Sequence, residues 1–149
     1  MPHHENHVLF ICAHNSARSQ MAEELMRRHY GDQVRVESAG LRENLHLNPL
    51  AIEVLREIGI DIEDKETQDA FELWRNGRLF SHVITVCDDS NGEHCPVFPG
   101  GVIRLHWSLH DPASFEGSWE EKLERTRQVR EEIEKNIHAW YEEYVEVEQ

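Results

Sequence analysis

His7-Val8-Leu9-Phe10-Ile11-Cys12-Ala13-His14-Asn15-Ser16-Ala17-Arg18-Ser19 is the stretch on which the fold turns. Its first six residues are a short apolar run, which reads as a buried strand. From Ser19 to Tyr30 the apolar residues Met21, Ala22, Leu25 and Met26 recur on one face at the helical period, and Gly31-Asp32 ends the run. A strand that enters a helix through a short polar loop is the opening of a β-α-β unit.

The rest of the chain continues that pattern. Val34-Arg35-Val36-Glu37-Ser38 alternates as a second strand, closed by Gly40. Asn48-Pro49 is a cap and first-turn pair for a helix whose face is Leu50, Ala51, Val54, Leu55 and Ile58, with Gly59 as its stop. A shorter helix is expected from Thr67 to Arg75, with Ala70, Phe71 and Trp74 inward. His82 to Cys87 and Val102 to His106 read as the third and fourth strands. Ser118 and Glu121 form a capping box for the last helix, and Leu123, Val129, Ile133, Ile137, Trp140 and Tyr144 mark a stripe expected to pack on the sheet. The order βαβααββα predicts a single α/β domain over residues 1–149, with a four-stranded parallel sheet flanked by helices on both faces. Ligands of such sheets sit outside the C-terminal strand ends, where the strand order reverses. Cys12 and Cys87 both close strands at that edge.

Composition narrows the function classes. A chain of 149 residues suits one domain and can bury roughly 70% of its unfolded surface without a disulfide scaffold. Acidic residues outnumber basic ones 29 to 15, a formal net charge of −14. That balance argues against nucleic acid and an anionic membrane as partners. No apolar run is long enough to span a bilayer, and Met1-Pro2-His3-His4 opens no apolar leader, so the expected location is the cytoplasm. Three cysteines, Cys12, Cys87 and Cys95, are too few for a disulfide framework and leave burial, metal binding or chemistry as their uses.

Five residues separate Cys12 from Arg18. Such a loop can wrap its backbone N–H groups around a tetrahedral oxyanion, and a helix starting near Arg18 adds its positive end. The candidate oxyanion site is therefore Ala13, His14, Asn15, Ser16, Ala17 and Arg18. The Arg18 guanidinium can bind two oxygens at once. The same positive field favours a Cys12 thiolate, to which Ser19 could donate a hydrogen bond. The product is a nucleophile aimed at the centre of a bound anion.

Cys12 to Glu23 resembles the phosphate-binding loop of the low-molecular-weight tyrosine phosphatases, and still more closely that of the thioredoxin-coupled arsenate reductases that share their fold. Glu37-Ser38-Ala39-Gly40 resembles the reductases' second-strand motif. Val86-Cys87 through Cys95-Pro96 is similar to their redox segment, and His106-Trp107 through Asp111-Pro112-Ala113 to their acid loop. Together these matches run from near residue 8 to residue 138.

The resemblance implies that arsenate is the substrate, with phosphate or sulfate as competing anions, and that the chain is a monomer. It makes Cys12 the nucleophile, Arg18 and Ser19 its electrostatic partners, and Asp111 the general acid. On the residues alone, Asp111-Pro112 reads equally as the start of a turn. The phosphatases usually follow this pair with an aromatic residue that grips tyrosyl substrates; Ala113 points instead to a small inorganic oxyanion. Cys87 and Cys95 would complete a Cys12-Cys87-Cys95 disulfide relay, regenerated by thioredoxin, or by glutaredoxin with a small thiol. The seven residues between Cys87 and Cys95 are polar, contain Asn91-Gly92 and are expected to form a mobile loop. The relay requires no cofactor. Some reductases of this family bind a potassium ion, at positions matched here by Asn15, Glu23, Ser38, Thr67 and Asp69; the alternative for these five is hydrogen bonding that stiffens the loop. A low-molecular-weight phosphatase and a non-catalytic thiol or metal binder are the competing readings.

Overall fold

The computed structural model describes residues 6–13, 17–40, 47–88 and 97–146. His14, Asn15, Ser16, Cys95 and the loop expected ahead of Cys95 lie outside the described residues. The elements are β1 (Asn6–Cys12), α1 (Arg18–Tyr30), β2 (Val34–Gly40), α2 (Pro49–Arg56), α3 (Ala70–Arg75), β3 (Phe80–Cys87), β4 (Gly101–Ser108), a 3-10 turn (Pro112–Ser114) and α4 (Trp119–Tyr144). All strand pairs are parallel and the sheet order is β2-β1-β3-β4. The chain leaves β1 towards β2 and returns on the other side as β3, so the order reverses between β1 and β3. Cys12, at the C-terminal end of β1, sits at that switch point.

Strand alternation divides the core into two. Val8, Phe10 and Cys12 of β1 join Ile84 and Val86 of β3 in the larger cluster, with Met21, Leu25, Leu55, Ile133 and Ile137 from the helices. Leu9 and Ile11 join Val83, Phe80, Phe98 and Leu73 on the opposite face. Phe10 lies opposite Ile84 and Ile11 opposite Thr85 in the register. Cys12 therefore shares a face with Val86, whereas Cys87 has the parity of Val83 and Thr85 on the other side of the sheet.

The helices obey local signals. Asn48 caps α2 by accepting from Leu50 N at 2.8 Å, and Gly59 (φ 85°) closes it, letting Ile60 N return to the Leu55 carbonyl at 2.9 Å. The Ser118–Glu121 capping box is present at the start of α4. Leu123, Val129, Ile133, Ile137 and Trp140 are buried and Tyr144 is partly so. The stripe packs against α1 and α2, and reaches the sheet where Trp140 and Tyr144 meet the ring of His82.

α3 differs from expectation. Asp69 accepts from Phe71 N at 2.9 Å and delays the helix to Ala70. That phase turns Ala70 and Leu73 inward and leaves Phe71 and Trp74 62% and 45% exposed. Among the described residues, no helix is long and apolar enough to cross a membrane.

Candidate active site

Cys12 ends β1 and is a free, buried thiol. Its Sγ lies 3.0 Å from Ser19 Oγ, itself fully buried in the first turn of α1. Register explains the contact: β1 delivers the sulfur to the sheet edge, and α1 returns over the same face. Arg18 is the first residue of α1, and Ala17 at the cap position offers no side-chain acceptor to the first-turn N–H groups. First-turn N–H groups left without a side-chain cap are the donors that a helix offers to an anion.

Arg18 is buried to 2% exposure, unusual for a guanidinium and sustained here by polar partners. Nη1 donates to the Leu109 carbonyl at 3.0 Å, and Nη2 lies 3.5 Å from Asp111 Oδ2. The Leu109 N–H donates to the Cys87 carbonyl at 3.1 Å. One backbone residue thus ties the end of β3 to the arginine of the oxyanion loop. Asp111 does two jobs with two oxygens. Oδ1 accepts from Ala113 N at 3.0 Å and caps the 3-10 turn, while Oδ2 faces Arg18. The turn reading of Asp111-Pro112 therefore holds, and the same carboxyl faces Arg18.

Cys87 ends β3 and is fully buried and disulfide-bonded. Its Sγ is 3.9 Å from His106 Nδ1. The next residue, Asp88, is buried and lies 2.8 Å from His110 Nδ1. Sequence reasoning quoted His106-Trp107 only as motif and gave His106 and His110 no role. The alternation of β4 could have placed His106 beside Thr85 and Cys87.

Of the five potassium candidates, Asn15 lies outside the described residues. Ser38 Oγ donates to Glu23 Oε1 at 2.5 Å, so these two meet. Gly40 pairs with Asp69 across an isolated bridge, but the Asp69 side chain is spent on capping α3. Lys65, which sequence reasoning missed, lies with Nζ 2.6 Å from Glu23 Oε1 and 3.0 Å from Glu24 Oε2. Arg27 Nη2 reaches Glu23 Oε2 at 2.5 Å and the Val36 carbonyl at 3.0 Å. A potassium ion on Glu23 would stand against the Lys65 charge, and both carboxylate oxygens already have cationic partners. The residues around Glu23 do not fit the ion; they fit the alternative of a hydrogen-bonded brace. The signal was available: Lys65 is the only lysine outside the last helix.

Taken together, the C-terminal edge of the sheet holds the Cys12 thiol, the buried Arg18 guanidinium and the Asp111 carboxyl, with a second, oxidised cysteine on the neighbouring strand. The family model described as low molecular weight phosphotyrosine protein phosphatase matches residues 7–149. A protein of Bacillus licheniformis named arsenate reductase is 42% identical over 137 residues, 91% of this chain and 94% of that protein. A solved arsenate reductase in the phosphate binding state superposes with a TM-score of 0.75 at 28% identity, covering 93% of this chain and 98% of that one. A thioredoxin-dependent arsenate reductase of Corynebacterium glutamicum gives a TM-score of 0.58 at 32% identity, over 91% of this chain and 63% of that one.

Proposed function

This chain belongs to the low molecular weight phosphotyrosine protein phosphatase family, and from that premise we propose that it reduces arsenate to arsenite. Arsenate binds in the loop from Ala13 to Arg18, where phosphate and sulfate compete. The Cys12 thiolate attacks arsenic, with Ser19 Oγ as its hydrogen-bond donor. Arg18 stabilises the charge that accumulates on the oxygens, and Asp111 protonates the departing oxygen. Cys87 then attacks the Cys12 sulfur. An S–S bond forms, the S–As bond breaks, and its electron pair stays on arsenic, which leaves as arsenite. Cys95 attacks Cys87, freeing Cys12. Thioredoxin, or glutaredoxin with a small thiol, reduces the resulting disulfide. No metal or organic cofactor enters these steps, and the enzyme works as a cytoplasmic monomer.

One observation carries this reading. Cys12 is a free thiol 3.0 Å from Ser19 Oγ, the neighbour in sequence of the Arg18 that pairs with Asp111, while Cys87 is in a disulfide. That is the state a completed relay leaves behind. A phosphatase is the second reading, favoured by the pairing of Arg18 with Asp111, which would serve an ester oxygen as well as an arsenate oxygen.

A single experiment separates the two. The protein is fully reduced, freed of other thiols and given arsenate, and its disulfides are mapped by mass spectrometry. The expected product is a Cys87–Cys95 disulfide with one equivalent of arsenite. No disulfide and no arsenite, with hydrolysis of an aryl phosphate retained, establishes the phosphatase.

A further inference from the structure

Cys87 must lose a proton before it can attack another sulfur, and a fully buried thiol ionises poorly without an acceptor. We propose that His106 is that acceptor: its Nδ1 takes the proton from the Cys87 thiol and so makes the thiolate. The assignment rests on the relay reading above, because it supplies the nucleophile of the second step.

The placement follows from the sheet. β3 and β4 pair in parallel, with Thr85 opposite His106 and Cys87 opposite Ser108. His106 therefore stands beside Thr85 and diagonal to Cys87 on the same face, within reach for an imidazole. Nδ1 is 2.8 Å from Thr85 Oγ1 and 3.9 Å from Cys87 Sγ, a distance at which sulfur hydrogen bonds form. Strand register sets these neighbours, and register does not depend on whether Cys87 is oxidised.

Thr85 equips the pair to hold either proton state. Its hydroxyl also lies 3.3 Å from the Leu105 carbonyl. When the thiol proton arrives on Nδ1, the hydroxyl turns to that carbonyl and accepts the new N–H. When the imidazole is neutral, the hydroxyl can donate to Nδ1 instead. Among the described residues, Asp88 and His110 are the titratable pair next to Cys87, and these are 2.8 Å from one another. His106 itself is exposed, so it can pass the proton to water.

The step balances. The Cys87 proton goes to His106 Nδ1, and the Cys87 sulfur bonds the Cys12 sulfur. The Cys12–arsenic bond breaks onto arsenic, which gains the two electrons that the two cysteines lose. No further oxidant is needed.

The test uses the reduced full chain and its His106→Gln variant. Gln keeps a polar contact with Thr85 on an exposed position, so the fold is retained. First, Cys87 is alkylated with iodoacetamide from pH 5.5 to 9.5 and followed by mass spectrometry. The expected result is alkylation at pH 7 at least tenfold slower in the variant, with its pH profile displaced upwards. Second, single-turnover arsenite release slows by a similar factor, while hydrolysis of p-nitrophenyl phosphate at Cys12 stays within twofold. Equal alkylation profiles for the two proteins overturn the assignment. Absence of arsenite from both proteins overturns the reductase reading instead. The alkylation comparison still decides the role of His106, because it requires no arsenate.

Discussion

Arg18 and Asp111 lie 93 positions apart in the chain, yet Arg18 Nη2 sits 3.5 Å from Asp111 Oδ2 at the C-terminal edge of the sheet. A buried guanidinium and a partly exposed carboxyl thus face one another there; in the proposed reaction the first gathers negative charge and the second gives up a proton.

That pairing makes leaving-group chemistry diagnostic. Asp111→Asn keeps an acceptor for the Ala113 N–H but cannot donate the proton a poor leaving group needs. With phenyl phosphate, turnover is expected to fall by about 10²- to 10⁴-fold. With p-nitrophenyl phosphate, whose leaving group needs little help, the loss is expected to be much smaller. Steady-state rates with both esters decide it. An equal loss on both shows that Asp111 positions the loop and does not protonate.

Cys87→Ser removes the second sulfur while leaving Cys12, Ser19, Arg18 and Asp111 in place. Arsenate-dependent oxidation of thioredoxin is expected to vanish, and slow hydrolysis of p-nitrophenyl phosphate to persist. Multiple arsenate turnovers by this variant in the presence of thioredoxin would show that Cys87 is not in the relay.

The brace around Glu23 makes a claim about ions. Lys65 supplies a fixed positive charge 2.6 Å from Glu23 Oε1. The melting temperature and the KM for arsenate are therefore expected to be the same in potassium and sodium chloride at equal ionic strength. Lys65→Met should lower stability by roughly 1.5–3 kcal/mol, the range for hydrogen bonds to charged groups. It should also introduce a preference for potassium over sodium. A wild-type protein whose melting temperature already rises with potassium alone contradicts the brace.

Glu37 carries a pH signature. Burial pushes its carboxyl up, but the hydrogen bond from His7 and the charges of Arg78 and His7 outweigh burial and hold it below the ordinary 4.5. A lowered folded value stabilises the fold fully above the unfolded value, and that stability is lost as pH falls through the folded value. Glu37→Gln should be the less stable protein at pH 7, and the difference in urea midpoint should close as pH falls from 5 to 3. A gap that persists at pH 3 assigns the effect to packing.

Much of this was legible before any coordinates. β1, α1 and β3 carry continuous or strictly periodic apolar patterns, and Cys12 and Cys87 close the strands that sequence assigned them to. The cap signals at Asn48 and Ser118 are local and survive folding unchanged. α3 was misread because Asp69 restarts the helix out of phase, a choice made by a side-chain hydrogen bond that leaves no trace in periodicity. Lys65 and His106 escaped for a different reason. Their partners, Glu23 and Cys87, lie 42 and 19 positions away and become neighbours only once the sheet has formed.

Strand parity gives Cys12 and Cys87 opposite sides of one wall. Rotating a side chain does not carry a sulfur through a strand, so the two thiols cannot short-circuit in the resting fold. The proposed relay therefore requires the end of β3 to part from β4, which separates Leu109 from the Cys87 carbonyl and so loosens the backbone that anchors Arg18. In the relay proposed above, the sheet thereby acts as an interlock: oxyanion chemistry at Cys12 runs with the wall closed, and electrons pass only when the grip on the oxyanion is released.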